Sequence, residues 1–142
     1  MSFKHADFSK LAGRYDQFRP GYSENALTAI LSLLDKPISE CEIADVGAGT
    51  GIWSRMIAKR NCKHVIAIEP NDEMRKYGES HPETNIEWLK GSGENTSLKS
   101  ESCDLISMAS SFHWVDFDLA TKEFHRALRC NGLFVAYGIH DI

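Results

Sequence analysis

Apolar positions in the first part of the chain follow helical spacing. A helix is predicted between Ser23, a favourable N-cap residue, and Pro37, which stops it. Its apolar residues fall at i, i+3, i+4 and i+7 and so share one buried face: Leu27, Ile30, Leu31 and Leu34. The same kind of spacing predicts an earlier helix over 8–18, with Phe8, Leu11, Tyr15 and Phe18 on its apolar side.

Beyond Pro37, short apolar runs alternate with amphipathic stretches. The runs predict strands at 43–46, 64–69, 86–89, 104–108 and 133–137. The stretches between them predict helices at 51–59, from Asn71 onward and at 117–129, the last capped by Asn131 and Gly132. The residues expected to face inward are Ile52, Met56 and Ile57 in the first of these helices and Ala120, Phe124, Ala127 and Leu128 in the last. This alternation predicts an α/β fold, a doubly wound, mostly parallel sheet with helices on both faces.

Composition narrows the class of protein. The chain has 142 residues and a formal net charge of -4, with 42% hydrophobic and 25% charged residues. These values predict one folded domain and no nucleic-acid-binding surface. No apolar run reaches the length of about 18 residues that a membrane span requires, and 1–10 lack the apolar core of a secretory signal. We therefore expect a soluble, cytoplasmic protein.

Cysteines and histidines give no sign of a metal site. The sequence contains neither a C-x-x-C pair nor an H-E-x-x-H motif. We interpret Cys41, Cys62, Cys103 and Cys130 as reduced residues that act as small buried apolar side chains.

A glycine-rich turn follows the first predicted strand. Gly47, Gly49 and Gly51 stand at alternate positions, where the absence of Cβ atoms allows a sharp bend and a close approach to a ligand. A dinucleotide-binding fingerprint would place its third glycine at Ile52, so the standard NAD pattern fails by one position. An NAD-dependent oxidoreductase is accordingly a minor alternative.

Two acids near this turn favour a cationic ligand over a phosphate. Asp45 lies just ahead of the first glycine, where a carboxylate would oppose a pyrophosphate. Glu69 ends the second strand, where an acid can accept hydrogen bonds from a ribose diol. A ribose, an ammonium and no phosphate together indicate S-adenosylmethionine. The alternatives are that Asp45 only caps the amides of the turn and that Glu69 is a solvated acid at a strand end.

The segments 44–51 and 68–70 resemble the class I S-adenosylmethionine-dependent methyltransferases. Within them the chain is most similar to the small-molecule branch (methyltransferase type 11) that includes the ubiquinone-biosynthesis and trans-aconitate methyltransferases. The resemblance implies a Rossmann-like sheet of about five strands in the order 3-2-1-4-5. It also implies one domain over 1–142, with a helical cap at 1–37 and a core at 38–142.

The same resemblance implies roles for individual residues. The cofactor would contact Asp45, Gly47, Ala48, Gly49 and Gly51 through its methionine part, Glu69 and Pro70 through its ribose, and Ser92, Gly93 and Glu94 through its adenine. Ser110, Phe112, His113 and Trp114 would surround the transferable methyl group, and Tyr15 and Arg19 would close over the cofactor. For His113 three roles stay open: general base, substrate orientation, or packing and hydrogen bonding beside Trp114.

The resemblance implies methyl transfer to a small-molecule acceptor by in-line displacement, with S-adenosylhomocysteine as the product. The family builds two further strands beyond the fifth, which are absent from these 142 residues. Such a fifth strand would leave an apolar edge exposed. Three explanations are open: a shortened gene product, a homodimer that pairs these edges, or a catalytically silent module that binds the cofactor or a partner.

Overall fold

Five strands form one parallel sheet in the computed structural model, which describes residues 22–82, 85–109 and 115–138. The strands are β1 (Glu42–Val46), β2 (His64–Ile68), β3 (Ile86–Leu89), β4 (Cys103–Ala109) and β5 (Leu128–Tyr137). Their spatial order is β3-β2-β1-β4-β5, and each neighbouring pair is parallel. The predicted doubly wound sheet and its strand order are confirmed.

Helices connect the strands and cover both faces of the sheet. They are α1 (Glu24–Leu31), α2 (Ile52–Ala58), α3 (Asp72–Glu79) and α4 (Phe117–Ala127), with a short 3-10 helix at Ile38–Glu40. Side-chain caps explain where three of them begin: Ser23, Asn71 and Asp116 accept the backbone N–H of the residue three positions later. None of the described helices is long and apolar enough to cross a membrane.

The alternation of β1 side chains separates two apolar clusters. Ile43 packs on the α1 and α2 side, together with Leu27 and Ile57. Ala44 and Val46 pack on the opposite side, against α4 and its Phe124. Because successive strand residues point to opposite faces, Asp45 shares the α2 face with Ile43.

Three local predictions about helices are wrong. Helix α1 ends at Leu31, well before Pro37, so Leu34 lies beyond the helix and is half-buried. Helix α4 ends at Ala127, and Leu128 already pairs with Cys103 as the first residue of β5, so Asn131 and Gly132 lie inside an irregular strand rather than at a helix cap. Arg129 holds this stretch on the sheet by pairing with the carboxylates that begin β1 and β4.

In α2 the buried residues are Trp53, Ser54, Ile57 and Ala58, whereas Ile52 and Met56 are half-buried. The face is rotated because the Trp53 indole is buried, donating to the Ser107 hydroxyl at 2.9 Å and stacking on Tyr137. The sequence pattern of aliphatic residues alone did not include this aromatic anchor.

Candidate active site

The glycine turn joins β1 to α2 at the carboxyl edge of the sheet. Gly47, Gly49 and Gly51 have φ angles of 72°, 59° and 93°, a region that costs other residues roughly 1–2 kcal/mol each. The amides of Gly47 and Ala48 donate to the carbonyl oxygen of Ile68 at 2.9 and 3.0 Å, which ties the turn to the end of β2. The turn is therefore fixed beside the acid that follows β2.

The glycines of the turn differ in what surrounds them. A Cβ atom on Gly49 would meet nothing within 4 Å, so this position faces open space. A Cβ atom on Gly51 would lie 2.8 Å from the Trp88 ring and 2.9 Å from the Arg55 guanidinium, so Gly51 serves packing. Gly49 is the point at which a ligand can come close to the backbone.

Glu69 lies across the mouth of the turn and is only 8% exposed. Its Oε1 accepts the Gly49 amide at 2.7 Å, and its Oε2 accepts the Asn71 amide at 2.9 Å. The alternative of a solvated acid at a strand end is therefore wrong. The carboxylate that caps an amide of the turn is Glu69, while the described hydrogen-bond donor to Asp45 is Ser54 of α2.

Asp45 is buried beneath the turn, with 1% exposure. Its Oδ2 accepts the Ser54 hydroxyl at 2.6 Å, while its Oδ1 has no hydrogen-bond partner among the described residues. Burial raises the pKa of this carboxyl to about 7, against the opposing effect of the Ser54 hydroxyl, and the negative charge of Glu69 adds to the rise. A buried oxygen without a donor is costly, so a cationic donor at this place would stabilise the carboxylate.

A third part of the site is the turn at 91–94, which follows β3 at the same edge of the sheet. The Ser92 amide donates to the Asn95 carbonyl at 2.9 Å. A Cβ atom on Gly93 would lie 2.6 Å from Cγ1 of Val115, and Glu94 accepts the Asp116 amide at 2.9 Å. These contacts join the turn to the beginning of α4.

The structure brings most of the predicted cofactor residues to this one edge. Asp45 lies next to the last residue of β1, and the glycine turn with Ala48 follows that strand. Glu69 and Pro70 follow β2, and the 91–94 turn follows β3. Tyr15, Arg19, Ser110, Phe112, His113 and Trp114 lie outside the described residues, and so does the helix expected over 8–18.

Sequence reasoning missed Ser54, which is fully buried and bonded to Asp45. A signal for it exists, because a buried acid needs a donor and Ser54 lies in the first turn of the helix that follows the acid. The residues that the structure describes contain no group of three His, Cys, Asp or Glu side chains suited to a metal ion. All four cysteines are free thiols. Three of them are buried, but the prediction is wrong for Cys130, which is exposed.

The arrangement fits a nucleoside cofactor that carries positive charge. The open space at Gly49 leaves room for a ligand close to the backbone, and the two nearby acids suit hydroxyl and ammonium donors rather than a pyrophosphate. A parallel sheet with such a turn after its first strand and an acid after its second defines the class of Rossmann-like, cofactor-binding α/β domains.

Comparison with known proteins specifies the family. A family model described as a methyltransferase domain matches residues 44–136. An uncharacterized methyltransferase from Mycobacterium tuberculosis is 32% identical over 126 residues, which cover 88% of this chain and 49% of that protein. The ubiquinone/menaquinone biosynthesis C-methyltransferase UbiE of Campylobacter jejuni is 28% identical over 144 residues, or 90% of this chain and 60% of UbiE.

A solved structure of an S-adenosylmethionine-dependent methyltransferase from Thermotoga maritima has a TM-score of 0.68 at 28% identity, over 91% of this chain and 58% of that one. The chain belongs to the class I S-adenosylmethionine-dependent methyltransferases, whose cofactor is S-adenosylmethionine. It spans about half the length of the curated relatives that it matches.

Proposed function

We propose that this protein binds S-adenosylmethionine at the glycine turn and supports methyl transfer to a small-molecule acceptor. The observation that carries the proposal is the pair of acids at the turn, Glu69 on the Gly49 amide and Asp45 with its unpartnered Oδ1. Membership of the methyltransferase family supports it. When bound, the cofactor would supply an electrophilic methyl group: the acceptor would bond to the methyl carbon as the bond from that carbon to sulfur breaks, and a neutral thioether would leave.

In this proposal, different residues near the turn bind different parts of the cofactor. Glu69 and Pro70 hold the ribose; the turn from Gly47 to Gly51, with Ala48, packs on the methionine part; and Asp45 accepts from its ammonium. Ser92 and Gly93 contact the adenine. Because Glu94 is bonded to the Asp116 amide, it holds this adenine turn against α4, and Tyr15 and Arg19 of the cap at 1–37 close over the ligand.

The acceptor side of the proposal concerns the segment after β4. Ser110, Phe112 and Trp114 form the wall of the pocket, and His113 orients the acceptor or removes its proton. A displacement of this type mainly requires that the two reactants are held in line, which can supply roughly 7–11 kcal/mol. A base is needed only where the accepting oxygen or nitrogen carries a proton.

Calorimetric titration with S-adenosylmethionine tests the proposal. Glu69→Ala removes an acceptor of charge-assisted hydrogen bonds worth about 1.5–3 kcal/mol, so affinity should fall roughly ten- to a hundredfold. Glu73→Ala, which removes an exposed acid from the first turn of α3, is the matched control and should leave affinity unchanged. Equal affinity in the Glu69→Ala variant would exclude the ribose role.

Transfer of a labelled methyl group to a metabolite extract tests the activity itself. Label found in a small molecule supports the proposal, with the cytoplasm as the expected compartment. Saturable binding without any transfer would instead support the alternative of a catalytically silent module.

The outer edge of β5 in the described sheet supports a further part of the proposal, pairing with a second copy of the chain. Within the described sheet β5 is hydrogen-bonded on one side only, to β4. Its half-buried apolar residues include Leu133, Phe134 and Val135. Sedimentation should detect a dimer at micromolar concentration, and a strict monomer would contradict edge pairing.

A further inference from the structure

Helix α2 contains a buried serine, Ser54, that is hydrogen-bonded to Asp45. Ser54 is 0% exposed, and its hydroxyl lies 2.6 Å from Oδ2 of Asp45. The other carboxylate oxygen, Oδ1, is buried without a hydrogen-bond partner in the described part of the chain. Ser54 thus determines which oxygen of Asp45 is bonded and which is left for another donor.

The surroundings of Asp45 offer no other described residue that supplies this bond. Strand β4 places Ser107 opposite Asp45, but that hydroxyl accepts from the Trp53 indole at 2.9 Å. Strand β2 places Ala67 beside it. Among the described residues the charge that acts on Asp45 is the carboxylate of Glu69, which is repulsive.

We propose that Ser54 is a positioning residue, which holds Oδ2 of Asp45 and thereby leaves Oδ1 to accept from the ammonium of the cofactor's amino acid part. This inference rests on the proposed function. It assigns to Ser54 a role in binding the amino acid part of the ligand and none in binding the nucleoside part.

The proposal has a pH signature, because the ammonium binds the ionised form of Asp45. Burial raises the pKa of this carboxyl to about 7 in the free protein. Below that pH the carboxyl holds a proton that must leave before the ammonium binds. Between pH 7 and pH 5.5 the affinity for a ligand with an ammonium should fall roughly fifteenfold. A ligand without an ammonium should show no such change.

Two nucleosides separate these cases. S-Adenosylhomocysteine carries the ammonium, and 5′-methylthioadenosine has the same adenosine and thioether without the amino acid part. Titration calorimetry of both at pH 5.5 and pH 7 should show the pH dependence for the first ligand alone. A titration of Glu69 would affect both ligands alike, since both contain the ribose.

Ser54→Ala then tests the role of the hydroxyl. Without its hydrogen bond the charged form of Asp45 is disfavoured, so S-adenosylhomocysteine should bind roughly tenfold more weakly at pH 7, and its pH midpoint should move upward. Binding of 5′-methylthioadenosine should be unchanged. Ser107→Ala, a buried serine beside Asp45 that bonds to Trp53, is the matched control and should leave the midpoint in place.

The outcomes separate this inference from the proposed function. Equal pH dependence for both ligands in the wild type, or equal weakening of both by Ser54→Ala, would overturn the role of Ser54. Failure of both ligands to bind the wild type would overturn the proposed function instead. Because the wild-type comparison needs no variant, poor folding of Ser54→Ala would leave the proposal testable.

Discussion

Replacing Asp45 by Asn should stabilise the protein above neutral pH while weakening cofactor binding. In the folded chain the pKa of Asp45 is raised from 3.8 to about 7, chiefly by burial. A shift of about three pKa units corresponds to roughly 4 kcal/mol, at 1.36 kcal/mol per unit. The amide of Asn would bury an N–H group without an acceptor, which costs about 1–3 kcal/mol. The net gain at pH 8 is therefore about 1–3 kcal/mol.

The direction of this pH dependence follows from whether the folded or the unfolded protein holds the proton on Asp45. Between pH 4 and pH 7 the folded protein retains a proton on Asp45 that the unfolded chain has lost. The contribution of this group to stability is thus fully present near pH 4 and is lost as the pH rises through about 7. Asn does not titrate, so its advantage over the wild type should grow across this range.

Urea unfolding of both proteins at pH 4, 6 and 8 measures this difference. Asp72→Asn is the control, because Asp72 is an exposed acid whose pKa is lowered by hydrogen bonds with Arg75 and Lys90. The difference in free energy of unfolding between Asp72→Asn and the wild type should change with pH in the opposite direction. A difference between wild type and Asp45→Asn that stays constant with pH would refute the reasoning.

Three other substitutions test separate parts of the structure. Gly49→Val should abolish binding of S-adenosylmethionine in a folded protein, since its side chain would enter the open space at a φ of 59°. Asn61→Val, at a φ of 61° after α2, imposes similar backbone strain as a control, and should bind normally. Gly78→Ala should cost about 1–3 kcal/mol because a Cβ there lies 2.3 Å from the Trp88 ring; a melting temperature equal to the wild type would contradict this packing. Glu123→Gln should lower the free energy of unfolding by about 2–3 kcal/mol at pH 7 but little near pH 2. The reason is that hydrogen bonds with Arg126 chiefly lower the pKa of Glu123 to about 2. Equal losses at both pH values would contradict this prediction.

The hydrophobic pattern predicted the sheet because parallel strands, buried on both faces, produce continuous apolar runs such as the one in β2. The pattern failed at positions where tertiary contacts determine the secondary structure or the buried face. Leu128 fits the helical spacing of α4 equally well, but it pairs with Cys103 in the sheet. Trp53, one turn before Ile57, was not among the residues predicted to face inward, yet its indole fixes α2 on Ser107 and Tyr137.

The predictions for the site likewise succeeded where the sequence pattern is sufficient and failed where tertiary contacts determine the structure. Spacing along the chain indicated Glu69 and the glycine turn, because both must follow strand ends. It did not indicate that Glu69 bonds to Gly49, nor that Ser54 holds Asp45, since a serine in a helix is usually exposed and these contacts depend on how α2 packs on β1. The positions and charges of the two acids were predicted from the sequence, whereas their hydrogen-bond partners were not predicted.

A crystal structure of the protein with S-adenosylhomocysteine tests the central claim most directly. We predict the amino acid part of the ligand beside the glycine turn at Gly49, with the Glu69 carboxylate on the ribose hydroxyls and Oδ1 of Asp45 directed toward the ammonium. A ligand bound elsewhere on the sheet, or a Glu69 carboxylate turned away from the ribose, would contradict the account.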